Sequence, residues 1–287
     1  MQNNSLLAVS DLDCRTIENL ARRAIALSEL WQSRAMPQTL AGARIGMIEE
    51  LPGWRNPAAL ALGAAAMGAQ VVTVNAKLEG QESVEDIAGY LANWFDIVAI
   101  RTPCFAKLAT FAAAAAIPVM NLRTHRNHPC EILGDLAYVR QQRGSWDGLH
   151  VAVVAPYANI LRSWIEAAAV LPISITQVAP TELLVETDHV TASDDPRSVQ
   201  DADVIITDCW PGTADAALKQ KLARYRIDGE RLSLCRPEAM FIPCPPVTRG
   251  EEVAAEAMSD PRCQATQAKA FLLHLQNAVL EMMFAKA

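Results

Sequence analysis

The chain has 287 residues, of which 51% are hydrophobic and 20% charged, a composition that suits a soluble globular protein of two domains of roughly 130 residues each. Its net charge of −7 argues against a nucleic-acid or anionic-membrane partner, so an anion site would have to be a local pocket of arginines. Seven scattered cysteines without a Cys-x-x-Cys pair suggest neither zinc nor a disulfide framework.

Ser10 to Ser33 reads as one amphipathic helix, with Ile17, Leu20, Ala21, Ala24, Leu27 and Leu30 at helical spacing and Ser10 or Asp11 as its cap. Alternation follows. Strands are predicted at Ala43 to Glu50, Gln70 to Asn75, Asp96 to Thr102 and Pro118 to Leu122, separated by helices at Ala58 to Met67, Ser83 to Trp94 and Phe105 to Ala116. A helix from His128 to Arg143 ends near Gly144, and the alternation restarts. Strands are then predicted at His150 to Ala155, Ile173 to Val178, Asp203 to Thr207 and Ala239 to Ile242, with helices at Asn159 to Leu171 and Ala214 to Tyr225. A last helix spans Gln264 to Phe284.

This order implies an α/β protein of two doubly wound parallel-sheet domains joined by interdomain helices. The expected boundaries are 1–130, completed by the C-terminal helix 264–287 packing back on it, and 131–263. Right-handed crossovers place the loops after the strands along one rim. In the first domain that rim gathers the loop at Arg55, the loop Arg101 to Pro103 and the segment after Leu122. Met1 to Ser10 shows no basic segment followed by an apolar run, and the apolar run Phe111 to Met120 is too short to span a bilayer. A reduced, cytoplasmic setting is expected, with no membrane and no nucleic-acid partner.

Leu51 to Pro57 reads Leu-Pro-Gly-Trp-Arg-Asn-Pro, between a strand and an alanine-rich helix. Asn56 suits an N-cap and Pro57 a first helical residue. Free amides and the helix dipole would welcome an anion there, and Arg55 can add a guanidinium fork. A plain strand-to-helix turn with a solvated arginine is the competing reading.

The loop has one glycine, and Pro156 to Ile160 has none, which speaks against a dinucleotide cofactor. A Walker loop and serine-nucleophile motifs are missing, and the five histidines lack metal-ligand spacing. No cofactor and no metal are expected. His128, before Pro129 at a helix entry, is either a structural cap or a catalyst. Cys244, between Pro243 and Pro245, sits either in a proline-locked turn or in a loop that aims a thiol and carbonyls.

Asn127-His128-Pro129-Cys130-Glu131, continuing Ile-Leu-Gly-Asp-Leu, resembles the His-Pro-x-Gln helix of the ornithine and aspartate carbamoyltransferases. Gly80-Gln81-Glu82-Ser83 with Asp86, Asn159 to Ala168, Asp203 to Trp210, Pro243-Cys244-Pro245-Pro246 and Arg249-Gly250-Glu251-Glu252-Val253 fall in that family's order, closer to the ornithine branch. The resemblance covers nearly the whole chain. It implies carbamoyl phosphate held between two domains and an amino-acid-like acceptor. Gly53, Trp54, Arg55, Asn56 and Pro57 align with the phosphate motif Ser-Thr-Arg-Thr-Arg, of which only the central arginine is retained.

By the same resemblance, Arg101 matches an arginine after the third strand and His128 a histidine that polarises the carbamoyl carbonyl. Glu131 replaces a glutamine, bringing negative charge toward a dianionic donor. It could be protonated, paired with Arg123 or Arg126, or a ligand for a cationic substrate. Asp208 and Asn159 match acceptor-binding residues, and Cys244 and Pro245 the loop that orients the nucleophile. Gly212-Thr213-Ala214 replaces Ser-Met-Gly, Pro243 the motif histidine and Leu272 an arginine, which turns the expectation away from ornithine itself.

Family members are trimers with shared sites, so a homotrimer is expected, with Lys77 and Gln81 offered to the neighbouring pocket. The first reading is therefore a carbamoyltransferase with an altered acceptor, using Arg55, Arg101, His128 and Cys244. The others are a repurposed enzyme with a different donor or substrate, and a non-catalytic metabolite-binding paralogue.

Overall fold

A computed structural model describes residues 4–285. Met1 to Asn3, and Lys286 and Ala287 of the expected C-terminal segment, lie outside the described residues. The chain folds as two compact units, one running to Gln142 and resuming at Lys269, the other Arg143–Ala268.

In the first unit, α1 (Cys14–Gln32) precedes β1 (Arg44–Glu49), α2 (Arg55–Ala66), β2 (Gln70–Val74), α3 (Val84–Ala92), β3 (Ile97–Arg101), α4 (Phe105–Ala114), β4 (Val119–Arg123) and α5 (Pro129–Arg143). The second carries β5 (Leu149–Val154), α6 (Asn159–Ala168), β6 (Ile173–Val178), β7 (Val190–Ser193), β8 (Val204–Thr207), α7 (Ala216–Leu222), α8 (Gly229–Ser233) and β9 (Met240–Pro243). The last helix, α9 (Ala265–Phe284), begins in the second unit and returns the chain to the first.

Both sheets are wholly parallel, with orders β2-β1-β3-β4 and β7-β6-β5-β8-β9. Such sheets are covered on both faces, and the middles of their central strands are accordingly apolar and buried. Val98, Ile100, Leu108 and Phe111 are enclosed in the first core, and Ala152, Ile205 and Phe241 in the second. The winding of the strand order reverses between β1 and β3 in one unit and between β5 and β8 in the other, the crevices where α/β sheets bind ligands.

Backbone pairing also covers two outer edges. Leu6 bridges Met120 beside β4, and Cys263 bridges Phe241 beside β9. The β2 edge stays largely exposed.

Several local expectations change. Helix α1 is capped by Asp13, whose carboxylate accepts from Thr16 N at 2.7 Å. Asp11 is instead held by the amides of Leu7 and Ala8, at 2.8 Å each. Asn56 does not cap α2, because the helix already begins at Arg55 behind an αR Trp54. Strand β7 had no apolar alternation to mark it, since its four residues lie at the sheet edge and none is buried.

Candidate active site

In the first unit the crevice between β1 and β3 is built around Arg101. Its guanidinium is buried and donates from Nε to Leu51 O at 3.2 Å and from Nη2 to Pro52 O at 2.7 Å. These bonds fix the loop that leads into α2. Gly53 is required twice over: its φ of +141° suits glycine, and a Cβ there would lie 2.5 Å from Arg101 Nη2. Burial, then the like charge of Arg123, lowers the Arg101 pKa, so the site holds its cations against desolvation.

Trp54 is 69% exposed, and Arg55 Cζ stands 4.8 Å from its ring centroid. Asn56 is drawn inward. Its Oδ1 accepts from Gln276 Nε2 at 2.8 Å and its Nδ2 faces His128 Nε2 at 3.5 Å. That inward turn is the physical reason it does not cap the helix. Pro57 stands in the first turn without an N–H, reducing the amides that the helix start can offer.

His128 is placed by a buried turn. Asn127 N donates to Thr124 Oγ1 at 3.1 Å, while Asn121 Nδ2 donates to Asn127 Oδ1 at 2.8 Å. Both asparagine amides also hold Leu7 O, at 2.7 and 3.0 Å. Burial, the leading cause, brings the His128 pKa down to about 3, with the Glu131 charge opposing it. The imidazole is therefore neutral near pH 7. With its Oδ1 taken by Gln276, Asn56 turns its NH₂ toward Nε2, the same ring nitrogen that Glu131 Oε2 approaches at 3.8 Å.

Glu131 is paired with neither Arg123 nor Arg126. Its Oε1 lies 2.9 Å from Lys269 Nζ, which also bonds both Asp135 oxygens at 2.8 and 2.7 Å. Arg126 stacks on Phe105 at 4.4 Å instead. Burial works against the Glu131 carboxylate, but Lys269 leads the charges that offset it, so its pKa falls below the ordinary glutamate value. Asp135 moves the other way: burial pushes it up to about 7, against the pull of Lys269.

Gln81 and Lys77 lie exposed in the loop after β2, and neither joins this group. Lys269, Asp135 and Gln276, which complete this group, are not marked as site residues by any motif in the sequence. The available signal was a lone lysine in the apolar run Ala268 to Leu273 and a lone aspartate between Leu133 and Leu136.

In the second unit, Asp208 and Cys244 directly follow the neighbouring strands β8 and β9, where Thr207 pairs with Pro243 and Cys244 N donates to Thr207 O at 2.9 Å. Asp208 Oδ1 accepts from Cys209 N at 2.8 Å. Asn159, also buried, opens α6 after β5, which adjoins β8. Pro245 follows Cys244, and the loop is braced by Glu252 Oε1 accepting from Thr248 N at 2.6 Å. A small cavity at this end of the sheet is lined by Ala155, Pro156, Trp210 and Glu252. Burial raises the Glu252 pKa.

Residues 4–141 match the family described as aspartate/ornithine carbamoyltransferase, carbamoyl-P binding domain, and residues 147–283 its Asp/Orn binding domain. The chain is 30% identical to an ornithine carbamoyltransferase of Nitrosococcus oceani, covering 96% of this chain and 95% of that one. The structure superposes on ornithine carbamoyltransferase from Burkholderia thailandensis with a TM-score of 0.91 at 27% identity, covering 98% of each chain. With the enzyme from Pyrococcus furiosus the TM-score is 0.93 over 98% of this chain and 97% of that one, at 23% identity, a likeness of fold. Among the described residues no helix is long and apolar enough to cross a membrane.

Proposed function

This chain belongs to the aspartate/ornithine carbamoyltransferase family, a family of transferases, and we propose that it moves a carbamoyl group from carbamoyl phosphate to the amine of an amino-acid-like acceptor other than ornithine. The observation that carries the donor half is the charge around α2. In a chain of net charge −7, the fields of Arg101, Arg123 and Lys269 reach His128, and that of Arg55 reaches Glu131. The loop between them is locked by Arg101.

The donor's phosphate is assigned to Arg55 and the first turn of α2, with Gly53, Trp54 and Asn56 shaping that turn. His128, neutral near pH 7, acts as a hydrogen-bond donor suited to an oxyanion that develops only in the transition state. The acceptor is assigned to Asp208 and Asn159, with Cys244 and Pro245 orienting the attacking nitrogen. A neutral amine attacks the carbamoyl carbon. The new C–N bond forms as the C–O bond to phosphate breaks, and the departing phosphate takes up the amine proton. Positioning supplies much of the rate.

The acceptor half rests on chemistry that is missing. Gly212-Thr213-Ala214, Pro243 and Leu272 stand where the resemblance expects Ser-Met-Gly, a histidine and an arginine. A screen of amine acceptors with carbamoyl phosphate checks this: a ureido product from an amine other than ornithine is expected, and efficient citrulline formation would overturn it. A second reading, a different donor, is favoured by Trp54 and Pro57, which put bulk and a missing amide at the helix start. No phosphate release from carbamoyl phosphate with any amine would favour it.

A homotrimer in the cytoplasm completes the proposal. Of the seven large hydrophobic side chains exposed among the described residues, Trp54, Leu62, Val72, Tyr90 and Trp94 are in the first unit, which also carries the open β2 edge. Lys77 and Gln81, exposed nearby in sequence, are the groups such a neighbour would receive.

A further inference from the structure

Glu131 brings a carboxylate into the part of the first unit where arginines concentrate positive charge. Lys269, near the start of α9, meets it at 2.9 Å and spans to Asp135, one helical turn further along α5. The three side chains are nearly enclosed, with 5%, 11% and 2% exposure for Glu131, Lys269 and Asp135. Gly134 makes room for this approach: a Cβ there would come within 3.3 Å of Leu272 N. The second Glu131 oxygen, Oε2, turns toward His128 Nε2 at 3.8 Å.

We propose that Lys269 is a positioning residue for the anion site, holding the Glu131 carboxylate paired and compensated so that it does not repel the donor's phosphate. The proposal rests on the reading of that site as a carbamoyl-phosphate site. Without the ammonium, two carboxylates at i,i+4 would share one buried helix face. The arginines whose charge reaches Glu131 from other elements are Arg55 on α2 and Arg101 on β3, the two that serve the proposed donor site. An uncompensated Glu131 would draw on those same arginines. Lys269 thus acts through Glu131 and does not touch the donor.

Titration calorimetry with inorganic phosphate and carbamoyl phosphate on the full chain at one pH, with Lys269→Met, Glu131→Gln and the double variant, tests this. Lys269→Met is expected to weaken both anions by about tenfold or more. The double variant is expected to regain wild-type affinity, and Glu131→Gln alone to bind at least as tightly as wild type. If Lys269→Met does not fold, the other two decide. A double variant about tenfold weaker than Glu131→Gln would mean that Lys269 contacts the anion directly, which overturns the proposal; matching affinities support it. A wild type that binds neither anion overturns the site and this role together. A wild type that binds, beside a folded Lys269→Met of equal affinity, overturns the role alone.

Discussion

At the scale of single residues, Arg101 serves the loop as much as any ligand. Two of its donors are committed to Leu51 and Pro52 carbonyls, and Gly53 is the residue that lets it approach. Gly53→Ala combines an unfavourable φ with a 2.5 Å clash; each such strain costs about 1–3 kcal/mol. The variant is expected to lose donor affinity at least about tenfold while keeping its circular dichroism; unchanged donor affinity by calorimetry would contradict the role given to the loop. The glycine and both arginines were legible in the sequence, and so was their gathering on one rim. The direction of Asn56 was not. A residue that suits an N-cap was diverted by a glutamine 220 positions away, and local propensity carries no trace of such a partner.

At the scale of elements, α9 has the largest influence on the site. It supplies Lys269 to α5 and Gln276 to α2, and Arg23 of α1 holds its Glu281 through bonds of 2.7 Å. It also carries His274, packed edge-on between Trp31 and Phe271. Burial lowers the His274 pKa to about 4, below the ordinary 6.5. The folded state therefore binds fewer protons than the unfolded chain, and stability is lost as pH falls from about 6.5 toward 4. His128 acts in the same direction down to about 3, whereas Asp135, raised to about 7, disfavours the folded state as pH rises from about 4 to 7. His274→Phe keeps the packing and removes one acid-sensitive group. Relative to its value at pH 7.5, the urea midpoint at pH 5 should be higher in this variant than in wild type; an unchanged or lower relative midpoint would contradict the assignment. The apolar spacing of α9 was readable, and its length was nearly so. Its pairing with α5 was not, because Lys269 and Glu131 are 138 positions apart and only folding brings them together.

At the scale of the whole molecule, strand–helix alternation is a strong signal because a parallel sheet demands apolar strands and long crossovers. That is why both sheets were legible while β7, short and exposed, escaped notice. Assembly belongs to this scale too. The proposed trimer should show in sedimentation at micromolar protein; a monomeric mass would contradict it. In the proposed function the first unit binds carbamoyl phosphate through Arg55. Calorimetric titration of carbamoyl phosphate into wild type and Arg55→Gln tests it most directly. Saturable binding by wild type, weakened by about tenfold or more in the variant, is the predicted result. No binding by wild type at millimolar donor, or equal affinity in the two proteins, would contradict it.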